Sequence, residues 1–238
     1  MATNRDQFIK VYESLTREVN KRAGQPGMHS FEVMQAAARD PVVRKQERVL
    51  RYIRDVRNLL AHPQHQSVGD AVLISDSFLA EVQGVLNRLQ RPPMANSVGV
   101  TRKQVRTANL SDRLGDLAAD MKRFGFSHLP ILATDDIVIG VFNEAAVFDH
   151  LWAASETIIS RDMTVADILQ HCRLDADHTE TFEFVRPGTT LDDLAERFKA
   201  LRTPTTRIGA VFVTASGKAN EPMQRMITPW DVLAGPLD

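Results

Sequence analysis

The sequence predicts an α+β multidomain protein: an all-α helical bundle over residues 1–91, then a tandem α/β module over residues 92–238. Three observations predict it. Only helical stripes precede Pro92-Pro93. The Pro-Pro pair then breaks the chain. After it, short apolar strands alternate with helices, and the same order of elements occurs twice.

The bounds are ordinary. The 238 residues suit one large or two small domains, and 43% hydrophobic with 25% charged residues is the balance of a folded protein with a sizeable core. A formal net charge of −1 leaves no bulk basic field for coating nucleic acid. Cys172 is the only cysteine, which excludes an intramolecular disulfide and a cysteine-based zinc site and suits a reducing cytoplasm. The polar start, Met-Ala-Thr-Asn-Arg-Asp, lacks the apolar core of a signal peptide. No apolar run is long enough for a bilayer. The expected location is cytoplasmic, without a membrane partner.

In the front part, Phe8, Val11, Tyr12, Leu15 and Val19 form one helical stripe, broken at Gly24-Gln25-Pro26-Gly27. A short helix is expected from Ser30 to Arg39. Asp40-Pro41 caps a third, carrying Val49, Ile53, Val56 and Leu60, which stops at His62 before Pro63. Ser75 caps a fourth, with Phe78, Val82, Val85, Leu86 and Leu89 on one face. Four such helices read as a small bundle.

The third helix carries Arg57-Asn58-Leu59-Leu60-Ala61-His62. Arg57 and His62 lie roughly 140° apart around a helix, so they share no stripe; a two-fold axis that brings a second copy against the first would let them flank a shared cleft. An arginine clamps phosphate, and a histidine at a helix C-terminus is favoured in its protonated form. The same letters also describe an arginine and a terminal histidine on a solvated face. The pattern resembles the HEPN family of helical domains, many of which are dimeric, metal-independent ribonucleases and many others non-catalytic. The resemblance implies that Arg57 binds the scissile phosphate, Asn58 orients it and His62 transfers the proton, with RNA as candidate partner. His62 and His65 have no third ligand at suitable spacing, so no metal is expected.

Behind the prolines, Val105–Ala108 reads as extended and Ser111 as the cap of a helix bearing Leu114, Leu117, Ala118 and Met121, stopped at Gly125. His128–Leu132 and Ile137–Phe142 read as a hairpin around Asp135-Asp136, and Asn143 opens a helix toward Trp152. The order recurs: a short helix over 164–171, a strand at Phe182–Val185, a helix with Leu191, Leu194, Ala195 and Phe198, strands at Ile208–Val213 and Met223–Ile227, then a last helix opened by Thr228. A period of about eighty residues is too long for a solenoid and predicts a duplicated unit with a pseudo-two-fold.

The last of these joints, Met226-Ile227-Thr228-Pro229-Trp230-Asp231, is the most informative. Thr228 is a good N-cap, Pro229 suits the first helical position, and Asp231 falls in the first turn. A hydroxyl, a carboxylate and free amides then share a helix N-terminus, where phosphate is attracted and a carboxylate can accept from ribose. A plain capped surface helix satisfies the same residues.

Two strand–helix–strand–strand–helix units of this size resemble a pair of CBS motifs, over residues 95–238. The first motif spans about 95–153 and the second about 160–238. The first shows Leu129-Pro130-Ile131, Asp135-Asp136 and Gly140-Val141-Phe142-Asn143; the second shows Thr228 and Asp231 at the Thr-x-x-Asp spacing. The resemblance implies a regulatory adenosine compound (AMP, ADP, ATP or S-adenosylmethionine), with Thr228 and Asp231 on phosphate and ribose and the base against the strands at Ile208, Gly209 and Ala210. Arg207 and Arg225 lie near enough in sequence to reach a phosphate. Two departures follow. Asn143 and Ala146 replace the first motif's Thr or Ser and its Asp, so that site is expected to be weak or empty. Gly209-Ala210 replaces Leu-Pro in the second.

No Walker loop, Gly-x-Gly-x-x-Gly or Gly-x-Ser-x-Gly occurs. The leading expectation is a homodimeric adenine-nucleotide sensor whose CBS pair modulates the helical domain. A second is a HEPN-type endoribonuclease regulated by that pair. A third is a non-catalytic dimerisation scaffold.

Overall fold

A computed structural model describes residues 3–27, 32–61, 72–153, 160–176, 180–201, 203–204 and 206–233. The chain divides into two compact units, Met1–Pro93 and Met94–Asp238. The architecture is α+β, with the N-terminal part helical.

The first unit contains α1 (Asn4–Arg22), α2 (Val33–Arg39), α3 (Pro41–Lys45), α4 (Glu47–Ala61) and α5 (Asp76–Gln90). A reciprocal Thr3–Asp6 capping box starts α1, and the Ser75 hydroxyl accepts from the Phe78 amide to start α5. The apolar stripes meet in one core: Phe8, Leu15 and Val19 face Leu50, Ile53 and Val56, and Val82, Val85, Leu86 and Leu89. Each such fully buried side chain stabilises by roughly 1.5–3 kcal/mol relative to exposure. Asn4 Nδ2 bonds Asp76 Oδ1 at 2.7 Å and Arg22 Nε bonds the Leu89 carbonyl at 2.7 Å, so α1 and α5 run parallel, tied at both ends. The single helix expected from Asp40 is two. Gln46 adopts φ −98° and ψ 4° between them, and neither glycine nor proline marks the break. His62 and His65 lie outside the described residues.

The second unit contains β1 (Val100–Thr101), α6 (Leu114–Phe124), β2 (His128–Leu132), β3 (Val138–Asn143), α7 (Glu144–Ala153), β4 (Glu180–Val185), α8 (Leu191–Lys199), β5 (Arg207–Val213), β6 (Arg225–Ile227) and α9 (Pro229–Leu233). A 3₁₀ turn, Val165–His171, precedes β4. One sheet has the order β1-β6-β5-β4, with β4 parallel to β5 and the other pairs antiparallel. The other is the β2–β3 hairpin.

Isolated bridges show that both sheets follow one plan. Ala108 pairs parallel with Ile131 of β2, as β4 pairs with β5. Arg173 pairs antiparallel with Gly140 of β3, as β1 pairs with β6. Each repeat therefore takes its edge from the segment that precedes the other. The helix starts follow suit: Met94 bridges Thr190 ahead of α8, and Thr164 bridges Arg113 ahead of α6. This exchange relates the repeats by the pseudo-two-fold. Val138, Val141, Ala210, Phe212, Met223 and Met226 form a core common to both.

The exchange moves one expected boundary. Ser111 is not the cap of α6; Arg113 occupies the N-cap, with no side-chain bond. The first amides are satisfied instead by the arriving chain: Leu114 N bonds Met163 O at 2.8 Å and Gly115 N bonds Arg161 O at 3.1 Å. Gly115 permits that approach, since a Cβ there would lie 2.8 Å from Arg161 Cβ. Among the described residues no helix is long and apolar enough to cross a membrane.

Candidate functional site

The hairpins present equivalent ends to a cleft of about 540 Å³. The first repeat contributes Ser127 and His128 at the start of β2, Asn143 at the end of β3, and Glu144 and Ala145 opening α7. The second contributes Arg207, Ile208 and Gly209 at the start of β5, Thr228, Pro229 and Trp230 at the start of α9, and Phe198. Glu180, the first residue of β4, lies between them.

Of the residues read from the sequence, Thr228, Ile208 and Gly209 line this cleft, with Arg207 beside them. Ala210 is fully buried in the shared core, one residue behind the wall. Asp231 sits directly behind Thr228: its Oδ2 accepts from the Thr228 amide at 2.7 Å and the Thr228 hydroxyl at 2.8 Å. Both bonds orient Thr228 and close the helix start, so the carboxylate serves the cap. Arg225 is held elsewhere. Its Nη1 donates to the carbonyls of Val98 at 3.1 Å and Gly99 at 2.9 Å, anchoring the segment that leads into β1.

A polar cluster joins the repeats across the cleft. His128 Nε2 lies 2.8 Å from Glu180 Oε2, and Asn143 Nδ2 donates to the same oxygen at 3.1 Å. His128 Nδ1 lies 2.8 Å from the Ser127 hydroxyl. With Nε2–H donating to the carboxylate, a neutral ring leaves Nδ1 to accept from Ser127. The His128 bond, opposed by partial burial, holds the Glu180 carboxyl below the usual carboxylate range. Arg207 Nε approaches Glu180 Oε1 at 3.5 Å from the solvent side, its own side chain 71% exposed. Asn143 divides its amide between two tasks: Oδ1 caps the Ala146 amide at 2.8 Å while Nδ2 reaches Glu180. Asparagine here joins capping to cross-repeat bonding, which a threonine hydroxyl could not span.

Gly209 belongs to this cluster. A Cβ there would lie 2.7 Å from Glu180 Oε2 and 2.9 Å from His128 Nε2. The small residue admits the His128–Glu180 pair, which lies against it. A glycine inside a strand does signal close approach. It does not name the approaching groups, because His128 and Glu180 are 52 residues apart and share no local pattern.

In the helical unit Arg57 lines a groove of about 750 Å³ with Tyr12, Thr16, Arg17, Lys21 and Ala61. Its guanidinium stacks 5.7 Å from the Tyr12 ring centroid, and Nη1 lies 3.5 Å from Asn58 Oδ1. The expected facing of Arg57 and His62 falls partly outside the described residues. Among those described, no three His, Cys, Asp or Glu side chains are grouped to hold a metal.

No family model matches the sequence, and no curated protein matches it. The solved structures it resembles include CBS-domain proteins. A hemolysin-like CBS-domain protein of Oenococcus oeni PSU is 18% identical, with a TM-score of 0.42, covering 62% of this chain and 92% of that one. CBSX2, solved in complex with AMP, is 17% identical, with a TM-score of 0.42 and coverages of 61% and 96%. The CBS domain pair of protein MJ0100, solved with 5-methylthioadenosine and S-adenosyl-L-methionine, is 14% identical, with a TM-score of 0.40 and coverages of 60% and 95%.

Proposed function

We propose that this chain is an adenine-nucleotide-sensing regulatory protein, whose α/β unit is a CBS pair binding an adenosine compound and acting on the helical domain. The observation that carries the reading is the cleft between the repeats, where Thr228, held by Asp231, stands beside Ile208 and Gly209. Its parts suit a nucleoside: an apolar wall at Ile208 and Phe198, an indole at Trp230 that is 79% exposed, hydroxyls at Ser127 and Thr228, and a carboxylate at Glu180. Aromatic faces stack bases, and carboxylates accept from ribose. The protein acts as a cytoplasmic homodimer, and a ligand controls the helical domain only by binding two arrangements with different affinity. Calorimetric titration with AMP, ADP, ATP and S-adenosylmethionine tests this. Binding is expected in the wild type and at least roughly tenfold weaker in Trp230→Ala, which removes an exposed ring and spares the core. Absence of binding by all four contradicts the reading.

A second reading rests on a separate observation. Arg57 lines the Tyr12 groove together with Arg17 and Lys21. That suits a phosphodiester backbone, and with the Arg57-Asn58…His62 pattern it supports a metal-independent ribonuclease. Cleavage of mixed RNA in EDTA, lost in Arg57→Ala and His62→Ala, is the outcome this reading requires. No cleavage with or without nucleotide leaves the helical unit a non-catalytic or scaffolding domain.

A further inference from the structure

We propose that the cleft selects adenosine compounds whose 5′ group is neutral or cationic, of the sulfonium-nucleoside or free-nucleoside class, over nucleoside polyphosphates, and that Glu180 is the residue that selects. The inference rests on the sensor reading and narrows its ligand.

The charge of the cleft decides it. Glu180 carries a carboxylate at the floor, its side chain 15% exposed, and Glu144 carries another at the rim. Among the described residues lining the cleft, Arg207 supplies the single guanidinium, and it already leans on Glu180. A polyphosphate chain needs several donors of positive charge to offset its own. Here it meets two carboxylates and one exposed arginine.

The hydrogen-bond inventory agrees. An ionised carboxylate only accepts, at about four lone-pair positions. Among the described residues His128 and Asn143 both bond Oε2, and Oε1 has the 3.5 Å approach of Arg207. That acceptor favours ligand donors: a ribose diol, an exocyclic amine, or the ammonium of a sulfonium nucleoside. His128 and Asn143 hold the carboxylate in place, so it does not turn away from an incoming anion.

The test is calorimetric titration at pH 7.5, fixed ionic strength and no magnesium, with S-adenosylmethionine, 5′-methylthioadenosine, AMP and ATP. Wild type is expected to bind S-adenosylmethionine or methylthioadenosine at least roughly tenfold more tightly than ATP. Glu180→Gln keeps an acceptor for His128 and removes the charge, so the gap narrows as ATP gains and S-adenosylmethionine loses. Gly209→Ala displaces the His128–Glu180 pair from outside it and is expected to weaken the preferred ligand too. ATP bound as tightly as the sulfonium compound, or a gap unchanged in Glu180→Gln, overturns the selection while leaving the sensor intact. If none of the four binds, the sensor reading falls and the selection with it.

Discussion

Glu180, His128 and Gly209 act as a set at the residue scale. Each is intelligible only with the others: the carboxylate needs the imidazole, and both need a position without a Cβ beneath them. In Gly209→Ala the neighbours that must move are the ends of side chains. The circular dichroism spectrum should therefore remain native while ligand affinity falls. Two other residues make predictions independent of any ligand. Burial pushes the Cys172 thiol up to about 12, so iodoacetamide at pH 8 should leave it unlabelled until denaturant is added. Labelling of the native protein at the rate of a free thiol would contradict its burial. The Ser216 hydroxyl and amide hold the Glu221 carboxyl at about 2, below its ordinary value. A depressed carboxylate contributes stability that is present above the unfolded-state pKa and lost as pH falls through the folded one. The gap in Tm between wild type and Glu221→Gln should thus be constant from pH 7 to 5 and shrink from about pH 4 toward 2.

At the element scale, boundaries marked by local chemistry were legible in the sequence. Ser75 and Thr228 sit at their helix starts as expected, and Gly125 ends α6 at φ 72°. Boundaries set by a distant segment were not legible. Ser111 yields to Arg113 because the amides of α6 are capped from Met163 and Arg161. β1 has two residues and pairs, among the described residues, with β6 alone, so no periodicity announces it. Arg225 is the corresponding case among site residues: its reach was legible, but not that carbonyls of the incoming segment would take its guanidinium. Gly99 and Gly125 separate the two kinds of boundary. Both have φ 72°, but a Cβ at Gly125 meets nothing within 4 Å, while one at Gly99 overlaps the Met226 carbonyl. Gly125→Ala should cost about 1 kcal/mol from backbone strain alone. Gly99→Ala should cost more, because it also unseats the exchanged edge. Equal losses in chemical denaturation would argue against the exchange.

At the scale of the whole molecule, the pseudo-two-fold explains why there is a cleft. Each repeat lends its leading segment to the other, which fixes the start of β2 and the end of β3 against the start of β5 and the entry to α9. The repeat itself was legible because its strands and helices alternate twice in the same order. The polar cluster was not, since its bonds connect one repeat with the other. Ligand held across that joint would stabilise the α/β unit by mass action, by about 2.7 kcal/mol at a hundredfold excess over Kd. The measurement that bears most directly on this account is photocrosslinking of 8-azidoadenosine to the full chain, with competition by adenosine and mapping of the labelled peptides. Competed label is expected in the peptides around His128, Gly209 and Trp230. Label in the Arg57 groove instead, or label that adenosine does not displace, would contradict it.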